Sequence, residues 1–105
     1  MKLTYPTTLV LRALDSGLRH GFDIIDTTEL PSGTVYPILR RLEREALVSG
    51  HWEDAAIAHG QLRPPRRYYE LTTAGKTVLE SAVARYPVPR AVMARLRRLR
   101  PARSS

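Results

Sequence analysis

Three segments in a fixed order constrain this chain more than any other feature: HGFDII at residues 20–25, ELPSGTVYPILRRLEREALV at 29–48, and RRYYELTTAG at 66–75. His20-Gly21 punctuates the chain. Phe22, Ile24 and Ile25 then make a short helix whose acids, Asp23 and Asp26, sit in the first turns, where the helix macrodipole favours them. Leu30-Pro31-Ser32-Gly33 reads as a turn. From Ser32 or Thr34 a longer helix runs to about Leu47, with Val35, Ile38, Leu39, Leu42 and Ala46 on one side and Pro37, Arg40, Arg41 and Arg44 on the other. Pro37 bears on the start: with Thr34 as N-cap it falls in the first turn, where no donor is needed, whereas with Ser32 as cap it forfeits an interior bond and bends the helix. Two helices joined by a tight turn and followed by strand signals form the pattern of a winged helix-turn-helix.

The flanking segments fit that frame. A first helix begins near Pro6, carries Leu9, Val10, Ala13 and Leu14, and stops at Gly17. Val48 to Glu53 reads as a strand with Val48 and Trp52 on one face, and Arg66 to Leu71 as its partner, with Tyr69 and Leu71 facing alike. Between them AAIAHGQLRPP is too long for a tight hairpin and suits a protruding wing loop holding Gly60, Arg63, Pro64 and Pro65. Thr72 or Thr73 caps a last helical region in which Val78, Leu79, Ala82, Val83 and Tyr86 recur every three or four residues. Pro87-Val88-Pro89 interrupts it, and a second stripe, Val88, Val92, Leu96 and Leu99, follows; Pro101 to Ser105 should fray. The expected fold is mainly α with a small two-stranded antiparallel wing. It divides into a winged-helix domain at 1–72, a helical dimerisation region at 73–100 and a tail at 101–105.

At 105 residues the chain is one small domain with a helical extension, too short for an enzyme built on a large sheet. The formal charge is +7, and its placement is informative. Residues 1–84 hold ten Lys and Arg against all ten acids, while residues 85–105 hold seven Arg and no acid. Such a balance suits a polyanionic partner. The absence of Cys excludes disulfides, thiolate zinc sites and Cys nucleophiles. No apolar run reaches about 18 residues and the N-terminus lacks an export signal, so a cytoplasmic protein with no membrane partner is expected.

In a helix-turn-helix the second helix lies in the major groove with its first turns at the base edges, which makes Ser32, Thr34, Tyr36, Pro37, Arg40 and Arg41 candidate DNA contacts. The alternative for the same residues is a solvated basic face. Arg63, Arg66 and Arg67 beside the proline-stiffened loop supply a second basic contact, to a minor groove or to phosphates; Tyr68 and Tyr69 are also accounted for as sheet packing. His20, His51 and His59 lack metal-ligand spacing, and nothing resembles a catalytic constellation, so no metal, cofactor or catalysis is expected. The stripe Val78, Leu79, Ala82, Val83 and Tyr86 has no evident partner within so small a head and is assigned to a homodimer interface, with Val88, Val92 and Leu96 packing back across the partner. Arg95, Arg97, Arg98 and Arg100 are expected to face solvent or DNA flanks.

Over residues 8 to 99 the chain resembles the PadR family of bacterial transcriptional regulators. HGFDII resembles the family's H-G-Y-x-I, SGTVYPILRRLEREALV its G-T-L-Y-P-x-L-x-R-L-E-x-x-G-L-[IV], and RPPRRYYELTTAG its R-P-x-[RK]-x-Y-x-L-T-x-x-G. The resemblance implies a winged-helix homodimer, generally a repressor, whose paired recognition helices read a pseudo-palindromic operator. It also makes Tyr36 and Pro37 DNA-facing and Arg66 and Arg67 the basic wing. Tyr86 aligns with a Trp that stacks planar drugs in small multidrug-responsive members, implying a small aromatic effector. The chain departs from the pattern at Ala46, where Gly is usual, at Pro31-Ser32-Gly33 in place of Ser-Pro-Gly, and at Pro87 and Pro89. The competing assignment is a winged-helix protein-interaction module whose basic tail binds nucleic acid without specificity.

Overall fold

A computed structural model describes residues 2–98. Its elements are α1 (Tyr5–Asp15), α2 (Gly21–Thr28), α3 (Ser32–Arg44), β1 (Val48–Trp52), α4 (Ala55–Gly60), β2 (Arg67–Leu71), α5 (Thr73–Arg85) and α6 (Arg90–Arg98). Mainly helical, with one two-stranded antiparallel sheet, this is the expected fold class.

Local chemistry accounts for the helix starts. The Thr4 hydroxyl accepts the Thr7 amide at 3.2 Å, and Pro6 occupies the first turn of α1, where no donor is lost. Thr72 caps α5 by accepting from the Gly75 amide at 3.1 Å, while its own hydroxyl donates to the Ala46 carbonyl at 2.7 Å. Gly75 has to be glycine: a Cβ there would collide with the Leu47 carbonyl oxygen, so the bare backbone lets α5 start directly against the end of α3.

The ends of α1 and α3 share one geometry. After α3, the Ala46 amide donates to Glu43 at 3.0 Å and the Leu47 amide to Leu42 at 2.9 Å, a Schellman motif with Ala46 at φ 58°. The same bonds close α1 at Gly17 (φ 106°) and Leu18. In α1 glycine takes the left-handed residue; in α3 an alanine carries that strain.

The core is formed where Val10, Leu11, Ala13 and Leu14 of α1 meet Ile24 of α2 and Val35, Ile38, Leu39 and Leu42 of α3, closed by Val48 and Tyr69 of the sheet. Val48 pairs with Leu71, Gly50 with Tyr69 and Trp52 with Arg67, so the facing expected from alternation is observed. A bridge between His20 and Tyr68, with the Tyr69 amide donating to the Arg19 carbonyl at 2.7 Å, fastens the wing to the entry of α2.

Several expectations need correction. Helix α3 is capped by Pro31, not by Ser32 or Thr34, and ends at Arg44 rather than near Leu47, because Ala46 turns left-handed. Pro37 therefore lies inside the helix. The wing connection is not irregular: Asp54 accepts the Ala56 amide at 2.8 Å and starts α4, whose Ala58 is buried. The α5 stripe does have a partner in its own chain, since Leu79 and Ala82 are buried against α1. Leu96 is likewise fully buried by the fold of its own chain, where α6 packs on α2. Arg95 does not face solvent alone: its Nε donates to the Thr27 carbonyl at 2.7 Å and its Nη1 to Glu29 at 3.2 Å, pinning α6 to the end of α2. The break expected at Pro87-Val88-Pro89 separates α5 from α6. Leu99, Arg100 and the tail at 101–105 lie outside the described residues.

Candidate nucleic-acid interface

The outward side of α3 presents Ser32, Gly33, Arg40 and Arg44 to solvent, with Thr34, Tyr36, Pro37 and Arg41 half-buried. Its inner side is spent on Val35, Ile38, Leu39 and Leu42. The six candidates on this helix thus share an accessible surface, to which Arg44, one turn beyond Arg40, belongs as well. Tyr36 is held from below: a Cβ on Gly21 would fall 2.5 Å from its ring, so only a glycine at the start of α2 lets the ring lie on that backbone.

The wing is differently used than its sequence suggests. Arg63, expected to probe a minor groove, is bonded by both guanidinium arms to Glu53, at 2.6 and 2.8 Å, and its side chain is only 19% exposed. Glu53 also accepts from the Arg66 amide at 3.3 Å and from the Tyr68 hydroxyl at 3.2 Å. The Arg63 guanidinium, against a smaller cost of burial, holds the Glu53 carboxyl at about 2, and the carboxylate in turn raises the Arg63 pKa. This pair fastens the two ends of the α4 connection together. Arg67 is also engaged. It donates to Glu43 of α3 at 2.6 Å, lies over the Trp52 ring at 5.2 Å from its centroid, and forms with Glu43 a bridge resting on Gly50, where a Cβ would crowd both. Of the three wing arginines, Arg66 alone makes no ion pair among the described residues.

Between α2, α3 and the wing runs a cleft of about 330 Å³, walled by Phe22, Tyr36, Pro64 and Pro65 with Arg66 and Arg67 at its polar side. Sequence reasoning placed Phe22 on a helix but gave it no role at this surface. The signal was present, because Gly21, Ile24 and Thr28 mark the buried side of α2 and residue 22 falls off it. Glu43 and Glu53, which tie down two of the predicted DNA contacts, had no such signal.

Beside the wing, the His20 Nε2 lies 3.0 Å from Asp23, its ring meets Tyr68 edge-on at 5.8 Å, and its Nδ1 is buried with no hydrogen-bond partner among the described residues. Burial pulls its pKa below the usual 6.5, with Asp23 opposing and Arg66 and Arg63 assisting. Among the described residues no group of three or more His, Asp or Glu is placed to hold a metal ion. Tyr86 ends α5 half-buried, its amide donating to Ala82 at 2.7 Å and the Arg85 guanidinium 5.8 Å from its ring centroid. No described helix is long and apolar enough to cross a membrane.

Comparison with known proteins agrees with this geometry. A PadR family transcription regulator from Clostridium difficile R20291 superposes with a TM-score of 0.67 at 25% identity, over 87% of this chain and 96% of the other. A PadR-like transcription factor from Bacteroides fragilis gives 0.57 at 28% identity, over 74% and 78%. A transcriptional regulator from Clostridium thermocellum, at 19% identity and 0.64 over 86% and 87%, shares the fold. Among curated proteins none matches. The family model for PadR-like transcriptional regulators matches residues 10–81, from α1 into α5 and so across the whole helix-turn-helix and wing. The chain therefore belongs to the PadR-like family of transcriptional regulators and is a DNA-binding transcriptional regulator.

Proposed function

We propose that the chain acts as a homodimeric repressor that reads a pseudo-palindromic operator, with Ser32, Thr34, Tyr36, Pro37, Arg40 and Arg41 at the base edges and Arg66 on the backbone. One observation carries this reading. Arg40, Arg41, Arg44 and Arg66 make no ion pair among the described residues, whereas Arg63 and Arg67 are neutralised by glutamates within the fold. Cations left unpaired on one accessible surface suit a polyanion.

Dimerisation draws support from the partly exposed valines of α5, of the loop after it and of α6. Val78, Val83, Val88 and Val92 are half-buried, and Val78 continues into an apolar groove of about 440 Å³ with Leu3 and Leu47. Residues 73–100 then serve two ends, with Leu79, Ala82 and Leu96 in the core and the valines at the partner. Tyr86, beside this surface, is the position for a planar aromatic effector.

Selection of bound sequences from a random duplex pool tests the whole reading. A palindrome with half-sites one helical turn, about 34 Å, apart is expected. Enrichment of no sequence would instead favour an interaction module with nonspecific nucleic-acid binding.

A further inference from the structure

Phe22 is 69% exposed, the most exposed aromatic ring among the described residues, and it has no part in the core. Its neighbours explain where it points. Gly21, immediately before it, is fixed beneath the Tyr36 ring, and Phe22 and Tyr36 line one cleft together with Arg66 of the wing. The phenyl ring therefore shares this cleft with a recognition-helix side chain and the unpaired wing cation, on the surface proposed above to meet DNA. An apolar ring left in water at such a place destabilises nothing by its removal, yet gains by burial on a partner.

The chemistry of the ring narrows what it can meet. Phenylalanine neither donates nor accepts a hydrogen bond, so it cannot hold a phosphate oxygen or read an amide or carbonyl base edge. In the major groove the apolar feature that distinguishes one base from the others is the thymine C5-methyl group. We propose that Phe22 is a specificity-determining residue that reads the C5-methyl of a thymine at the edge of the half-site contacted by α3. This rests on the DNA-reading surface of the proposed function and adds to it a base preference arising from α2.

The test uses the full chain and the duplex recovered by selection, with each thymine replaced in turn by deoxyuridine, which removes only the methyl. Wild type should lose roughly fourfold in affinity at one position of each half-site, the worth of one buried methyl. Phe22→Ala should bind the thymine duplex more weakly and be indifferent to the same replacement, while Phe22→Leu should keep part of the discrimination. The unchanged melting temperature expected of Phe22→Ala separates contact from folding. Equal losses for Phe22→Ala on selected and random duplexes, or deoxyuridine effects identical in wild type and variant, would overturn the proposal and put the ring on the sugar-phosphate backbone. Failure of wild type to select any sequence would overturn the underlying reading, and is seen before any variant is made.

Discussion

The ring of Tyr36 lies so close on the backbone of Gly21 that a single methyl group at residue 21 would stand 2.5 Å from it. The contact joins the first turn of α2 to the second turn of α3, and so sets how far the Tyr36 ring, proposed to contact DNA, projects. Gly21→Ala should push the ring outward, cost about 1–3 kcal/mol in urea unfolding, and weaken operator binding. Adding Tyr36→Ala to that variant should restore the stability but not the affinity. A double variant no more stable than Gly21→Ala would mean the glycine is needed for another reason.

Ala46 holds a left-handed conformation at φ 58° while closing the Schellman motif of α3. Replacing it with glycine relieves a Cβ clash at an exposed position. Ala46→Gly should stabilise the fold by about 1 kcal/mol, a rise of roughly 4–8 °C in melting temperature for a domain of this size. No gain would show that the alanine is unstrained there.

The wing arginines should separate by salt dependence. Arg66→Ala should reduce the slope of log affinity against log salt by roughly 1, as for the loss of one phosphate contact. Arg63→Ala should leave the slope nearly unchanged, because its charge is already matched by Glu53, but should loosen the wing. The reverse ranking would mean that Glu53 releases Arg63 on binding.

Acid should act on the wing in two steps. The His20 pKa lies below 6.5, so the folded state binds its proton less readily than the unfolded chain does; the stability this contributes is complete above 6.5 and is lost as pH falls through the folded value. Glu53, lowered from 4.5 to about 2, contributes stability that is complete above 4.5 and disappears between there and 2. Melting temperature followed with pH should fall in both windows, with Glu53→Gln removing the lower step and His20→Gln the upper.

Much of this architecture was written locally. Gly17, the Pro31 turn, the apolar spacing of α3, the Thr72 cap and the break at Pro87-Val88-Pro89 each act within a few residues, and each is found where the chain's own chemistry places it. The unread parts depend on distance or on degeneracy. Asp54 can start a helix, but six residues are too few for periodicity to declare one, so the sequence of α4 reads as a loop. The Glu53–Arg63 and Glu43–Arg67 pairs join residues that meet only after the wing has folded. A stripe such as Leu79, Ala82 and Leu96 has the same spacing whether it packs on its own chain or on another. Arg40, Arg41 and Arg66 were legible as cations; that they stay unpaired while Arg63 and Arg67 do not was a property of the fold.

The central claim, that the outward face of α3 reads bases, is tested most directly by the affinity of Arg40→Ala for the selected operator and for random duplex of equal length. A loss of about 1–3 kcal/mol on the operator with a much smaller loss on random DNA is predicted, because base contacts specify while phosphate contacts position. Equal losses on both duplexes would contradict it and leave α3 as a solvated basic helix.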